Sequence, residues 1–363
     1  MTEVASTGVV PAARLADRLE GVETSFAAAA HATGGSTEDR YTMAGRSICL
    51  RFASPALRER LTPAFAHLTE LSGAADTEPA LTVSLWDSAS TGAQPPPRPA
   101  VPDDHAPGAL FHFHEPPLRS AYQPGLETLS ILDSGSSEAW HWVADAFEQP
   151  YWDQASPIRQ ILFWWLGSRG YLQVHGAAVG TSAGGVLLVG KGGSGKSTVA
   201  LSSLGSELQY AGDDYVAVTL EPTPRVQSLY SSAKLAPHHV IEFLPDLVPL
   251  VSNVERLDEE KAVLYVHEHF PEDTTAGFPL RAVVVPKVTP SARAARVVPA
   301  SRAAALAALA PSTIFQLHTA DQTALSAMSR LVAGVPCYGL ELGSDVKTIP
   351  GAIAALLQTL PTD

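Results

Sequence analysis

The stretch Gly185-Val-Leu-Leu-Val-Gly-Lys-Gly-Gly-Ser-Gly-Lys-Ser-Thr198 decides the fold of this chain. Residues 186–189 are apolar and predict a buried strand, a glycine-rich turn follows, and a helix is predicted to begin at Lys196. From Gly190 to Ser197 the residues fit G-x-x-x-x-G-K-[ST], the phosphate-binding loop, in the strand–turn–helix context that this motif requires. The stretch therefore predicts a site for a nucleoside triphosphate.

Each residue type in this loop has a physical role. Glycine permits a positive φ, so that backbone N–H groups can turn inward and form an anion-binding concavity. The predicted helix directs its positive dipole end at the same place. The Lys196 side chain can reach the outer phosphates, and the Ser197 hydroxyl can coordinate Mg²⁺. The residues predicted to bind ATP are Gly190, Lys191, Gly192, Gly193, Ser194, Gly195, Lys196, Ser197 and Thr198.

Two adjacent acids follow the loop. Residues 208–211 predict the next strand, which ends in Gly212-Asp213-Asp214. Acids at the end of an apolar strand, ~20 residues after a phosphate loop, stand where P-loop enzymes place a metal-binding carboxylate. A turn is the alternative interpretation, because Gly-Asp-Asp suits a turn, but the loop upstream favours a functional pair. Lys234, on the strand-like stretch that comes next, is the further charged residue that we single out.

The composition restricts the classes of function. The chain has 363 residues, 45% of them hydrophobic and 17% charged, which indicates a globular protein of one large or two smaller domains. A net charge of −13 disfavours nucleic acid as the main partner. The absence of a signal peptide and of any run of ~18 apolar residues predicts a cytoplasmic protein without a membrane partner. Cys49 and Cys337 are predicted to be free thiols.

The order of elements predicts three regions. Alternating strands and helices over 151–363 predict one α/β domain. Over 41–150, strands at 46–52 and 81–86 flank a helix with Ser54 as its N-cap and Pro55 at its first position, which predicts a small α+β domain. Residues 1–40, rich in Ala, Ser, Thr and Gly, predict a flexible N-terminal tail.

Two histidine pairs raise the question of a transition-metal site. His112 and His114 alternate on a predicted strand and are followed by Glu115. A solvated strand face is the favoured interpretation, because no further ligand follows at the spacing of a metal site. The same interpretation applies to His267 and His269.

The run His175-Gly-Ala-Ala-Val179, the loop and the Asp213-Asp214 pair, in this order and approximate spacing, resemble the catalytic domain of HPr kinase/phosphorylase. The chain looks most like the HPr-kinase-like proteins of lasso-peptide and related bacterial gene clusters. The resemblance implies a P-loop α/β domain of the HPr kinase/phosphoenolpyruvate carboxykinase type. It also implies Mg²⁺- and ATP-dependent phosphoryl transfer to a serine hydroxyl of a peptide or protein.

The resemblance assigns roles to individual residues. Asp213 would act as base on the acceptor hydroxyl, Lys196 and His175 would lie at the transferred phosphoryl group, and Ser197 and Asp214 would bind Mg²⁺. These roles are chemically consistent, because a serine hydroxyl is a poor nucleophile without a carboxylate to take its proton. The charge on the γ-phosphoryl group also needs neutralisation by a lysine and a cation.

The chain departs from the family in two places. Thr198 stands where HPr kinase usually has Glu, and Ser231-Ser-Ala-Lys-Leu235 stands in place of an Arg-Gly-Leu-Gly segment. The resemblance therefore does not extend to phosphorylase activity or to HPr as the acceptor. Two other interpretations stay open, a kinase of a small hydroxyl compound such as free serine and a nucleotide-dependent binding module without phosphotransfer. A homo-oligomer is compatible with the sequence.

Overall fold

The computed structural model of the protein describes residues 12–70, 78–106, 108–317 and 322–361. The chain divides into two compact units, which we call the N-terminal and the C-terminal unit. The N-terminal unit comprises the chain up to Thr62 together with Thr69–Trp165, and the C-terminal unit comprises Leu166 onward together with the short segment Pro63–Leu68. The sequence prediction placed this boundary between residues 150 and 151 and did not separate residues 63–68.

The N-terminal unit is built on a mixed sheet of seven strands. Its strands are β1 (Thr37–Met43), β2 (Arg46–Phe52), β3 (Leu81–Asp87), β4 (Phe111–Glu115), β5 (Leu118–Gln123), β6 (Thr128–Asp133) and β7 (Glu138–Val143). Its helices are α1 (Ala12–Ala32), α2 (Pro55–Leu61), α3 (Ser88–Thr91), α4 (Tyr151–Gln154) and α5 (Arg159–Gly167), the last running across the boundary. The strand order is β1-β2-β3-β7-β6-β5-β4, with parallel pairing of β3 to both neighbours. The predicted α+β class and the Ser54 cap of α2 are confirmed.

Helix α1 corrects the prediction of a flexible tail over residues 1–40. Val22 and Ala29 are buried in the core with Trp86 and Trp142, and Phe26 packs against the same cluster. Their spacing places them on one helical face, and burial of that face against the sheet stabilises a helix whose alanine-rich sequence gives only a weak signal. Strand β1 already begins at Thr37. Residues 1–11 lie outside the described part of the chain.

The C-terminal unit has an eight-stranded mixed sheet and a separate two-stranded one. Its strands are β8 (Leu172–Thr181), β9 (Gly184–Val189), β10 (Gln209–Gly212), β11 (Tyr215–Thr219), β12 (Arg225–Ser228), β13 (Ser232–Leu235), β14 (Ala262–Tyr265), β15 (Gly277–Val288), β16 (Arg296–Pro299) and β17 (Cys337–Leu342). Its helices are α6 (Lys196–Ser202), α7 (Pro237–Phe243), α8 (Val266–His269), α9 (Arg302–Leu317), α10 (Gln322–Gly334) and α11 (Ile349–Thr359). This mixed α/β composition agrees with the predicted class.

Two long strands organise the larger sheet. Strand β8 pairs with β11 over its first residues and with β9 over its last, and β15 pairs with β12 and then with β9. Because β11 also pairs with β12, strands β8, β11, β12, β15 and β9 pair in a closed circuit. Apolar side chains of β8 and β9 contribute to two cores, one containing residues of α6 and α11 and the other residues of α9 and α10. Burial on both faces explains the continuous apolar run at residues 186–189.

Within the described ranges, none of the helices combines the length and the apolar content needed to cross a membrane. Cys49 and Cys337 are both free and buried, as predicted.

Acid is expected to destabilise the fold through two buried histidines. Burial lowers the pKa of His141 to about 4, and burial together with the nearby His267 lowers the pKa of His67 to about 3. The unfolded chain, with a histidine pKa of about 6.5, therefore takes up protons first. Above pH ~6.5 the two histidines should not reduce the free energy of unfolding. Below pH ~6.5, each of them should lower it by about 1.4 kcal/mol per pH unit.

Urea unfolding at pH 7.0, 6.0 and 5.0 measures this loss. The variant His141→Gln removes one of the two groups, so its free energy of unfolding should fall less steeply over the same pH interval. An equal slope in the wild type and the variant would contradict the assignment of His141.

Candidate functional site

The phosphate-loop sequence folds as a strand, a turn and a helix. Strand β9 ends at Val189 and α6 begins at Lys196, which confirms the predicted local structure. Gly195 has φ 103°, and a Cβ atom added there would lie 2.3 Å from Cδ1 of Leu342. Only glycine meets both conditions. The turn therefore closes tightly over the end of β17 and presents the first turn of α6.

The Lys196 side chain is folded into this turn. It is 7% exposed, and its Nζ donates to the carbonyl oxygens of Gly190 at 2.7 Å and of Lys191 at 3.4 Å. Burial lowers the pKa of Lys196, and the charges of Asp213 and Asp214 oppose that shift. The ammonium group is thus held among backbone carbonyls, within the electrostatic reach of the two aspartates.

Asp213 follows β10 and is almost entirely buried. Its Oδ2 accepts a hydrogen bond from the backbone N–H of Lys234 at 3.2 Å, and its Oδ1 is buried without a hydrogen-bond partner in the described part of the chain. Burial raises the pKa of Asp213, and the charge of Asp214 adds to this effect. The Ser197 hydroxyl, the Lys234 N–H and the Lys196 charge act in the opposite direction. The carboxyl group beside the phosphate loop is therefore the more basic of the pair.

Asp214 has a different environment, although it is the next residue. It adopts φ 69°, and its carboxylate bridges Nε2 of His175 at 3.0 Å and Nζ of Lys234 at 2.5 Å. Burial alone would raise the pKa of Asp214, but the Lys234 charge and the His175 hydrogen bond outweigh burial and lower it. The pKa values of the two adjacent carboxyl groups are thus shifted in opposite directions, and Asp214 is held as the anion.

The partners of Asp214 come from two further strands. His175 lies on β8 and Lys234 on β13, and the Tyr215 ring lies 5.6 Å from the His175 ring and 5.8 Å from Lys234 Nζ. The His175 N–H donates to Oγ1 of Thr313 on α9 at 3.3 Å. Lys234 is the site residue to which we had assigned no role from the sequence. Its signal was a charged side chain on a short strand of otherwise uncharged residues after the acidic pair.

The structure brings the predicted site residues together in two groups. Lys196 and Ser197 lie on the side of Asp213, whereas His175 lies on the side of Asp214. Asp214 Oδ1 contacts His175 and Asp214 Oδ2 contacts Lys234, and the shared Mg²⁺ site of Ser197 and Asp214 stays a prediction. The other predicted loop residues occupy the turn and the start of α6. Lys191, Gly192 and Gly193 are exposed, and Thr198 is buried. Ser194 is half-buried, and its Oγ has no hydrogen-bond partner within the described part of the chain.

The described residues do not form a metal site from protein side chains alone. Among the described residues, no group of three or more His, Cys, Asp and Glu side chains is arranged to hold a metal ion. His112, His114 and Glu115 are therefore not such a group, and neither are His267 and His269. Of these, His267 instead pairs with Oγ1 of Thr274 at 2.7 Å.

Comparison with known proteins adds little to this geometry. No protein-family model matches the chain, and no curated protein matches it in sequence. Among solved structures, the HPr(Ser) kinase/phosphatase from Coxiella burnetii is similar to this chain, with 10% identity, 51% of this chain and 93% of that chain covered, and a TM-score of 0.28. A TM-score of this size assigns neither a family nor an activity, so the function must be inferred from the residues of the site.

Proposed function

We propose that the chain is a Mg²⁺- and ATP-dependent kinase that transfers a phosphoryl group to a serine hydroxyl of a peptide or protein. The observation that carries the proposal is the pair Asp213 and Asp214 beside a phosphate loop, with one carboxyl group made more basic and its neighbour held ionised. Pairs of titratable groups whose environments separate their pKa values are a mark of acid–base sites.

The loop residues fit a nucleotide triphosphate. The tight turn at Gly195 presents the N-terminus of α6. Within the described part of the chain, the Lys196 ammonium group donates hydrogen bonds to loop carbonyls alone. The Ser194 hydroxyl is buried and has no hydrogen-bond partner among the described residues. Backbone N–H groups at a helix start and a lysine are the groups that bind phosphates in such loops. When bound, Mg·ATP supplies the phosphoryl group and the cation that neutralises its charge.

The two aspartates are suited to different roles in the proposed reaction. Asp213 has the raised pKa and an unpartnered Oδ1, which suit it to accept the proton of the acceptor hydroxyl. Asp214 keeps its negative charge because of Lys234 and His175, as a ligand of Mg²⁺ requires. We therefore assign Asp213 as the proton acceptor and Asp214, with Ser197, to the cation. Lys234 and His175 orient the Asp214 carboxylate.

Properties of the whole chain guide the choice of partner and compartment. Two free, buried thiols are consistent with a reducing compartment, and we place the kinase in the cytoplasm. A peptide or protein acceptor, rather than nucleic acid or a membrane, agrees with the net charge of −13.

Acceptor-dependent ADP release tests the proposal. The full chain is incubated with ATP and Mg²⁺ alone, with free serine, and with a library of serine-containing peptides, and phosphoserine is detected by mass spectrometry. We expect phosphoserine in peptides and an ADP release that requires them, both absent from the Lys196→Met variant. Transfer to free serine alone would make the chain a small-molecule kinase. ATP binding without transfer to any acceptor would overturn the proposal in favour of a binding module.

A further inference from the structure

The segment Pro63–Leu68 joins the C-terminal unit from the other half of the sequence. The chain before it, up to Thr62, and the chain after it, from Thr69, both belong to the N-terminal unit. The segment lies within a 3₁₀ turn and buries Ala64, Phe65 and Leu68. Among its contacts in the C-terminal unit are those with the residues that lead into β13, the strand that carries Lys234.

Hydrogen bonds and a ring contact join the segment to residues 228–231. The Ser231 N–H donates to the Ala64 carbonyl at 2.8 Å, and Ser231 Oγ donates to the Pro63 carbonyl at 3.1 Å. Nε2 of His67 lies 2.5 Å from Oγ of Ser228. The rings of Phe65 and Tyr230 are 5.6 Å apart. Ser231 and Tyr230 are completely buried, and Ala64 and Phe65 on the segment are buried as well.

The same stretch leads directly to the aspartate pair. The Ser231 carbonyl accepts from the Val266 N–H at 2.8 Å, and the Ser232 carbonyl accepts from the Tyr210 hydroxyl at 2.6 Å. Three residues after Ser231, Lys234 donates its N–H to Asp213 and its Nζ to Asp214. An extended strand rises about 3.3 Å per residue, so only about 10 Å of β13 separates Ser231 from Lys234.

We propose that Ser231 is a positioning residue for Lys234, and that segment 63–68 thereby fixes the geometry of the aspartate pair from within the N-terminal half of the sequence. The expected effect of Ser231 on the rate of phosphoryl transfer rests on the proposed kinase function, whereas its expected effect on the structure does not. Removing the buried Ser231 hydroxyl leaves the half-buried Pro63 carbonyl without this donor, and a polar group that loses its partner away from bulk water is costly. Residues 228–235 should then lose their fixed position before the phosphate loop is affected.

Amide hydrogen exchange of the full chain tests the structural part. In Ser231→Ala, the amides of residues 228–235 should exchange roughly tenfold faster than in the wild type, and those of α6 should be unchanged. Ser25→Ala is the matched control, because Ser25 is a buried serine of the N-terminal unit whose Oγ donates to the Gln94 carbonyl at 2.7 Å. It should leave both regions unchanged. Wild-type exchange rates at residues 228–235 in Ser231→Ala would overturn the proposal.

A double-mutant cycle tests whether Ser231 acts through Lys234. We expect Ser231→Ala to lower kcat for peptide phosphorylation roughly tenfold with unchanged ATP affinity. Once Lys234→Met has been made, adding Ser231→Ala should cause no further loss, because coupled residues are not additive. Additive losses would overturn the proposal. If Ser231→Ala fails to fold, Ser228→Ala, which removes the contact with His67, takes its place with the same expectations. No transfer in the wild type would refute the kinase function and leave the exchange experiment decisive.

Discussion

Replacing Asp213 by asparagine is expected to lower the rate of phosphoryl transfer by about 10²–10⁴, the usual contribution of a general base. ATP affinity should stay within about tenfold, or ~1.4 kcal/mol. The expectation follows from the buried, more basic carboxyl group of Asp213 and from its unpartnered Oδ1. Asparagine keeps the size of the side chain and an oxygen for the Lys234 N–H but cannot accept the proton. Single-turnover phosphorylation of a peptide and a nucleotide-binding titration measure the two effects.

Asp214→Asn is the matched comparison. It removes the charge that faces Lys234 and His175, so its defect should diminish as the Mg²⁺ concentration is raised, whereas that of Asp213→Asn should not. Transfer by Asp213→Asn at the wild-type rate would refute its role as proton acceptor. Recovery of Asp213→Asn at high Mg²⁺ would instead assign Asp213 to the cation together with the nearby Ser197.

Replacing Lys196 by methionine is expected to weaken ATP binding roughly 10- to 100-fold, because a hydrogen bond to a charged group contributes about 1.5–3 kcal/mol. Phosphoryl transfer should fall further, since the lysine also offsets charge on the transferred group. Methionine preserves the length and the apolar stem of the buried side chain. Calorimetric titration with a non-hydrolysable ATP analogue measures the loss of affinity.

The control for this variant is Lys347→Met, which removes an exposed lysine of the same unit. It should bind the analogue as the wild type does. Circular dichroism and thermal unfolding establish whether Lys196→Met remains folded, because its substitution leaves the Gly190 carbonyl without that donor. Wild-type affinity in a folded Lys196→Met protein would remove the phosphate loop from the proposed function.

Local sequence signals predicted the elements that hold the loop and the acidic pair. The apolar run, the turn glycines and the helix start lie within a few residues of one another, so the pattern specifies β9, the turn and α6 without help from distant residues. The short strand before Asp213 was also predicted correctly. The roles of these residues in binding and catalysis remain predictions.

Features that depend on distant residues could not be predicted in this way. Nothing near Asp214 in the sequence indicates that Lys234 and His175 would share its carboxylate, because strand pairing brings them there. Segment 63–68 gives no sign of the unit that it joins. Tertiary packing also overrides local preference at Pro311: a proline inside a helical pattern ordinarily ends or kinks the helix, yet α9 continues through it to Leu317.

The closure of the loop over Leu342 has a consequence for biosynthesis. Residues 190–198 emerge from the ribosome long before β17, yet the turn at Gly195 rests against a side chain of that late strand. Domains generally fold as units once their parts are available, so a nascent chain that lacks β17 has an incomplete support for its phosphate loop. ATP stabilises only a form that can bind it. Under the proposed function, the cell's nucleotide pool can therefore stabilise the fold only late in translation, after the last strand of the sheet has been made.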